Sequence, residues 1–266
     1  MIPKIIHYCW FGGNPLPELA ERCIASWRKF LPDYEIREWN EDNFDVNIIP
    51  YTAEAYKQKK YAFVSDYARF WILYRYGGIY FDTDVEVIRP MDDIIARGNF
   101  MGFEQDPDGK NTPGKYAPRY CFAVNPGVGF GISKEHPFIH KMLETYQDLV
   151  FNGGNMSPWL KTIVAYTTEA LMEEGLQNKK GIQQVGDITV YPHEYFAPID
   201  VITERLHITP ITYTIHRYMG SWGENGTSYK NENLNFDYLK KRLRDALPEW
   251  VLYLNNRIKR RKYRIK

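Results

Sequence analysis

The sequence predicts an α/β fold with a mostly parallel central sheet flanked by helices, and three observations lead to it. The chain opens with a strand, helix, strand succession. A long aromatic helical stretch then runs through a glycine pair into another short strand, and further strand-like and helical stretches alternate beyond it. Parallel strands need a crossover of a dozen or more residues between them, commonly a helix, and this alternation supplies it.

The elements follow in chain order. "PKIIHYCWFGG" is a β-branched and aromatic run that stops at Gly12-Gly13, a first strand and its loop. From Pro17 to Phe30 apolar residues recur at helical spacing, with Leu19, Cys23, Ile24 and Trp27 as the expected inner face. "YEIREW", residues 34–39, alternates as a strand. "YAFVSDYARFWILYRY", residues 61–76, reads as a helix closed by Gly77-Gly78, which can adopt the left-handed geometry of a helix end. Ile79 to Phe81 form a brief strand, and Asp82 and Asp84 stand at its C-terminal end, where open α/β sheets bind ligands.

Beyond these, "NFMGFE" and "YCFAVNPGVGFGI" predict strands separated by a loop over 105–118. Residues 136–150 and 158–174 predict helices, 187–217 is β-like and broken by prolines, and 235–254 reads mainly as helix. There is no internal repeat, low-complexity tract or interdomain linker. Residues 1–254 are therefore expected to form a single domain, followed by a basic tail over 255–266.

At 266 residues and 44% hydrophobic content the chain can bury a full core. No stretch has the pattern of a signal peptide and no run of about eighteen apolar residues occurs, so a non-secreted, non-spanning protein is expected. Cys9, Cys23 and Cys121 share no metal-type spacing and are expected as reduced, partly buried thiols.

Charge is unevenly placed. The net value is +1, yet the last ten residues, "RIKRRKYRIK", hold seven Lys or Arg and no acid, which leaves the body mildly acidic. The tail follows the apolar and aromatic "WVLYL" of residues 250–254. Rings followed by cations suit an anionic membrane surface. A solubilising terminus is the second reading, and nucleic-acid contact comes last because no basic stripe extends the footprint. Neither GxxxxGK[ST] nor a strand-linked GxGxxG occurs, which argues against ATP hydrolysis and dinucleotide redox chemistry.

Asp82 and Asp84 are two apart, so on a regular strand they face one side. Two adjacent carboxylates repel unless a cation neutralises them, and hard oxygen ligands suit Mg²⁺ or Mn²⁺ with phosphates completing the shell. Alone, a D-x-D is also an ordinary turn. In the preceding helix Ser65, Asp66 and Arg69 share a polar face. They read either as an ion pair within a packed interface or as a carboxylate and guanidinium that meet sugar hydroxyls and phosphate.

The stretch "AFVSDYARFWILYRYGGIYFDTDVEVIRP" resembles the signature of DXD-motif glycosyltransferases. That family includes bacterial capsular polysaccharide transferases and yeast-type mannosyltransferases, and is related to the catalytic domain of large clostridial glucosylating toxins. "IPKIIHYCWFGG", "WNEDN", "FAVNPGVGFGIS" and "HRYMGSW" resemble further family segments.

The resemblance implies a GT-A-type nucleotide-sugar transferase fold and a retaining, metal-dependent transfer of a hexose. A UDP-sugar, galactose or glucose, is expected ahead of GDP-mannose. The implied catalytic residues are Asp66, Arg69, Asp82, Asp84 and Asn125. Donor contacts are implied for Trp10, Asn40, Ser65, Asp66, Arg69, Tyr80, Asp82, Ser221 and Trp222. Mn²⁺ or Mg²⁺ would be held by Asp84, Asp82 and His216. A polysaccharide or lipid-linked oligosaccharide is the expected acceptor. No nucleic-acid partner is expected, and the implied location is the cytoplasm, peripheral at the inner face of a bacterial membrane. A non-catalytic carbohydrate-binding protein of the same fold, or a toxin-like transferase acting on protein, are the alternatives. His7 alternates with strand residues and is expected to be packed or hydrogen-bonded rather than catalytic.

Overall fold

The structure, a computed structural model, describes residues 1–109, 122–151, 162–200 and 205–219. The first part contains Ile5–Cys9 (β1), Glu18–Phe30 (α1), Glu35–Trp39 (β2), Pro50–Lys57 (α2), Tyr61–Tyr76 (α3), Gly78–Tyr80 (β3), Val85–Val87 (β4), Asp92–Ile95 (α4) and Asn99–Gln105 (β5). There follow Ala123–Val124 (β6), Phe130–Ile132 (β7), Pro137–Gln147 (α5), Ile163–Glu173 (α6), Gln183–Val185 (β8), Ile188–Tyr191 (β9), His193–Phe196 (α7) and Thr214–His216 (β10).

The main sheet has the order β2-β1-β3-β7-β5-β9-β8, with β6 paired to β5. The pairs β1–β2, β1–β3 and β5–β9 are parallel, whereas β3–β7, β5–β7, β5–β6 and β8–β9 are antiparallel. It follows that β1, β2, β3, β5 and β9 all point one way and β6, β7 and β8 the other. The sheet is mostly parallel in direction, and the reversed β7 keeps the C-terminal ends of β3, β5 and β9 on one edge.

Side chains alternate across this sheet as the pleat requires. Ile6, Tyr8, Ile79, Phe81 and Phe100 join one apolar cluster with Trp27 of α1 and Phe196 of α7. Cys9, Tyr80, Met101 and Phe103 join the other with residues of α2, α3, α5 and α6. Both faces are thus covered, the three-layer arrangement of an α/β fold.

Helix α3 has the expected bounds and is buried nearly all round, including Asp66 and Arg69. Its lack of a polar face outside the ion pair marks it as a core helix. At Gly78, φ is 106°, and a Cβ there would lie 2.6 Å from the Ile5 carbonyl oxygen, so only glycine lets β3 start against β1. On α1 the buried stripe is Ala20, Cys23, Ile24 and Trp27. Leu19, expected inside, is only half-buried because the stripe is turned by one residue. The Trp27 indole donates to the Val85 carbonyl (2.6 Å) and ties α1 to β4.

Other expectations are revised. α2 was not anticipated; Pro50 occupies its first turn, where the missing N–H costs nothing. The β-like stretch begins earlier, with the β8–β9 hairpin over 183–191, and then contains the short helix α7. Asp82 to Asp84 form a turn rather than a continuing strand, closed by Val85 N–H donating to the Asp82 carbonyl (3.0 Å). β4 then leaves the main sheet and pairs with β10 in a separate two-stranded ladder. Cys9 and Cys23 are buried free thiols. The expected helix over 235–254, the tail over 255–266 and Cys121 lie outside the described residues.

His7 is fully buried in the core, where Trp39 Nε1–H donates to its Nδ1 (3.1 Å) and its Nε2 meets the Gly77 carbonyl (2.9 Å). Trp39 can only donate, so Nδ1 is the acceptor and Nε2 carries the proton. Burial pushes its pKa down to about 4, which keeps the ring neutral.

Candidate functional site

The site forms on the edge where β3 and β5 end. Asp82 and Asp84 come from the β3–β4 turn, and His216 is the last residue of β10. The β4–β10 register sets His216 opposite Val85, the residue after Asp84. Two further bonds lock the crossing: Arg217 N–H donates to the Asp84 carbonyl (2.9 Å), and Met219 N–H to its Oδ2 (2.7 Å). One ligand atom from each of Asp82, Asp84 and His216 can be chosen so that all lie within 4.8 Å of one another.

Opposite ligands of an octahedral Mg²⁺ lie about 4.2 Å apart, because each bond is about 2.1 Å. A contraction of roughly half an ångström, within side-chain rotation, would enclose a cation. The donor set of two carboxylates and one imidazole fits Mn²⁺ or Mg²⁺ better than softer ions that call for thiolates. The buried Nδ1 of His216 makes no hydrogen bond and faces Glu104 Oε1 at 3.8 Å, which leaves Nε2 on the side of the aspartates. The residues present therefore fit a divalent metal.

The electrostatics are those of two adjoining clusters. In the first, Arg69 Nη2 is 3.1 Å from Asp66 Oδ1 and 3.2 Å from Asp82 Oδ1. Its guanidinium lies over the Tyr80 ring at 4.7 Å, and its Nη1 is buried without a hydrogen-bond partner. Burial works against the Arg69 charge, but Asp82 and Asp66 outweigh it and hold the group protonated. Burial pushes the Asp66 carboxyl up, to about 7, against the pull of Arg69.

In the second cluster, His216 Nε2 is 3.3 Å from Asp84 Oδ1, and its Nδ1 is 3.8 Å from Glu104 Oε1. Burial disfavours the imidazolium, yet Asp84, Glu104 and Asp82 push its pKa up to about 9. Asp84 is itself held below the usual carboxylate range: burial raises it, but His216 and the Met219 N–H prevail. A bound cation would replace that proton as the counter-charge.

The loop after β6 packs directly on these acids. A Cβ at Gly127 would lie 1.8 Å from Asp82 Oδ2 and 2.8 Å from Arg69 Nη1, so this loop approaches Asp82 as only glycine allows. Gly127 also receives the Asp82 N–H on its carbonyl (2.9 Å). Asn125 is buried behind it and accepts the Gly127 N–H on Oδ1 (2.7 Å), a bond that shapes the loop.

Of the remaining expected donor contacts, Ser65 and Tyr80 adjoin Arg69, whose Nε–H donates to the Ser65 carbonyl (3.3 Å), whereas Trp10 and Asn40 lie on the loops after β1 and β2. Trp10 is half-buried on the loop after β1, its Nε1–H donating to the Asn14 carbonyl (2.6 Å). Asn40 spends its amide on Glu38 (3.0 Å) and its oxygen on the Asp42 N–H (2.9 Å). Ser65 donates to the Tyr61 carbonyl (3.2 Å), and Tyr80 is almost wholly buried beneath Arg69. Ser221 and Trp222 lie outside the described residues.

Two features went unread in the sequence. Glu104, near the end of β5, is buried against His216. Two residues on, Asp106 accepts both the backbone N–H of His193 (2.7 Å) and its ring Nδ1–H (2.8 Å), at the end of β9. The Asp106 bond, against burial, raises the His193 pKa. An acid at the C-terminal end of a parallel strand is the signal that singled out Asp82, and it would have found both.

The fold and site define a class: an α/β protein in which strand-end carboxylates and an imidazole are gathered closely enough to hold a divalent cation, beside a buried guanidinium paired with one of the same acids. Residues 17–101, about a third of the chain, match the family described as "Glycosyltransferase sugar-binding region containing DXD motif". It is 23% identical to an "Initiation-specific alpha-1,6-mannosyltransferase" of Candida albicans, over 84% of this chain and 73% of that protein. It is 26% identical to an "Inositol phosphoceramide mannosyltransferase 1" of Schizosaccharomyces pombe, over 53% of this chain and 42% of that one. The second match thus spans well under half of that relative's length. A solved structure titled "PaToxG Glycosyltransferase" overlaps 65% of this chain and 70% of its own with 21% identity and a TM-score of 0.46.

Proposed function

We propose that the protein is a metal-dependent, retaining hexosyltransferase that uses a nucleotide-diphosphate sugar. The observation that supports it most is the convergence of Asp82, Asp84 and His216 from distant parts of the chain to within 4.8 Å, beside the Arg69 cluster.

Asp84 and His216 would hold the cation, with Asp82 completing the protein's share. A cation bound there would neutralise the diphosphate as it leaves with the sugar's bonding electrons. The chain's own residues do the rest. Arg69, fixed between Asp66 and Asp82, turns the unpaired Nη1 toward the loop at Gly127 and can meet phosphate or sugar oxygens there. Asp66, with a pKa pushed to about 7, can accept or donate a hydrogen bond to a sugar hydroxyl. Asn125 and Gly127 shape the wall against which the donor sugar would rest. No carboxylate is nominated as a nucleophile. The acceptor hydroxyl attacks from the face that the diphosphate leaves, and a departing phosphate oxygen takes its proton. Trapping a sugar covalently on a carboxylate would overturn that scheme.

The names of the relatives carry mannose, which puts GDP-mannose first among donors to test, alongside UDP-galactose and UDP-glucose. One relative is named for a phosphosphingolipid acceptor, which supports a lipid-linked acceptor here. No helix among the described residues is long and apolar enough to cross a membrane. We assign surface attachment to the basic tail: deleting 255–266 should weaken binding to anionic vesicles and spare donor hydrolysis.

The test is hydrolysis of a panel of GDP- and UDP-sugars with Mn²⁺, Mg²⁺ or chelator. Activity should require the metal, and Asp84→Asn should lower it by about 100-fold or more. Equal hydrolysis by Asp84→Asn, or by chelated protein, would break the metal assignment.

A further inference from the structure

We propose that Glu104 is a positioning residue for the cation site: it holds the proton of the His216 ring on Nδ1, so that the Nε2 lone pair faces Asp82 and Asp84. The inference rests on the metal reading above and adds a residue to it.

The His216 ring lies between two carboxylates on opposite sides. Nε2 faces Asp84 Oδ1 at 3.3 Å, within the three-residue cluster, whereas Nδ1 faces Glu104 Oε1 at 3.8 Å. A cation ligand must be a neutral imidazole with a lone pair on the binding nitrogen, which leaves one proton for the other nitrogen. If Nε2 binds, that proton sits on Nδ1, inside the protein. Nδ1 makes no hydrogen bond at the present distance. A buried N–H of that kind needs an acceptor, and Glu104 is placed to supply it. Bringing the pair from 3.8 Å to hydrogen-bond length needs a movement of about 1 Å.

Glu104 is not an accidental neighbour. It lies in β5, where Met101 and Phe103 join the helical core, at the point between Phe103 and Gln105 where the register with β6 shifts, and there its carboxylate meets the His216 ring. Its side chain is only 3% exposed. Metal-ligating histidines characteristically direct their second nitrogen to a carboxylate or carbonyl, which fixes tautomer and ring orientation. The β5 strand end would do so from the main sheet, while the ligand itself comes from the β4–β10 ladder.

The experiment uses the full chain and Mn²⁺ alone. Free Mn²⁺, followed by electron paramagnetic resonance during titration, gives the affinity of the wild type, Glu104→Gln, Glu104→Ala and Glu104→Asp. Glu104→Ala should weaken binding about 10- to 100-fold, and Glu104→Asp should recover part of it. In the Mg²⁺-loaded protein, long-range ¹H–¹⁵N spectra, with His216 assigned by its loss in His216→Gln, should show the Nδ1–H tautomer. That signature should be lost or mixed in Glu104→Ala. If the alanine variant does not fold, Glu104→Gln, which keeps the volume, serves in both measurements. Unchanged affinity and tautomer in folded variants would overturn the role of Glu104 while leaving the cation site standing. A wild type that binds no Mn²⁺ would overturn the site itself, and Glu104 with it.

Discussion

The two halves of the site are built alike and behave differently. Each is a buried cationic side chain between two carboxylates: Arg69 between Asp66 and Asp82, His216 between Asp84 and Glu104. The D-x-D acids are therefore divided, one to each half. A guanidinium keeps its charge at any ordinary pH, so the first half is a permanent arrangement, further fixed by the Tyr80 ring beneath it. An imidazole can release its proton, so the second half can exchange one positive charge for another. The comparison teaches that a short acidic motif can pair at once with a permanent charge, Arg69, and with one that can be exchanged, His216.

The strongest way to break this picture is to remove each cation in turn. His216→Gln, like Asp84→Asn, should abolish measurable Mn²⁺ binding and lower metal-dependent donor hydrolysis by about 100-fold or more. Retained binding in either variant would show that the ion sits elsewhere. Arg69→Met should instead act on stability. It leaves Asp66 and Asp82 without their counter-charge, a loss of about 3–5 kcal/mol in urea unfolding. Adding Asp66→Asn and Asp82→Asn should return most of that stability without returning activity. A triple variant as unstable as the single one would mean that Arg69 packs more than it pairs.

Gly127→Ala separates the halves more finely. The new methyl must displace the Asp82 carboxylate from 1.8 Å, so a loss of about 1–3 kcal/mol is expected, with the Asp84–His216 pair left in place. Donor hydrolysis should fall further than Mn²⁺ affinity, and an equal fall in both would deny the division.

His7 offers the contrast of a buried histidine with no carboxylate partner. Its folded pKa of about 4 lies below the unfolded 6.5. The stability it contributes as a neutral ring is complete above pH 6.5 and is lost as pH falls toward 4. That amounts to roughly 3 kcal/mol over the window, measurable as a reduced acid dependence of unfolding in His7→Gln. The smallest effect belongs to Glu86, whose ion pair with Arg217 is partly exposed. Glu86→Gln should change stability by at most about 1 kcal/mol and leave Mn²⁺ affinity unchanged.

What could be read from the sequence was what lies close together in it. Asp66, Arg69, Asp82 and Asp84 fall on one helix and the turn after the next strand, and periodicity with the glycine pair placed them. Strand alternation is nevertheless an incomplete reason for the aspartates, since they share a site through a turn. His216 was reachable only by resemblance, because nothing local ties it to residue 84. Glu104 carries the same strand-end signal as Asp82, but its depth beside His216 comes from packing between distant segments that no local pattern encodes. Trp10 and Asn40 stand in the expected segments, but their polar atoms are satisfied by neighbouring loop groups.

The β4–β10 ladder joins residues 85–87 to 214–216 in a fixed register. A growing chain can complete most of the main sheet and both D-x-D aspartates before Thr214 has been made, yet it has no imidazole to close the cluster. Sliding the ladder by one residue would turn His216 to the opposite face. On the proposed reading, tight binding of a cation would report that the late segment is threaded in register, since a molecule with a shifted ladder lacks the imidazole at the cluster.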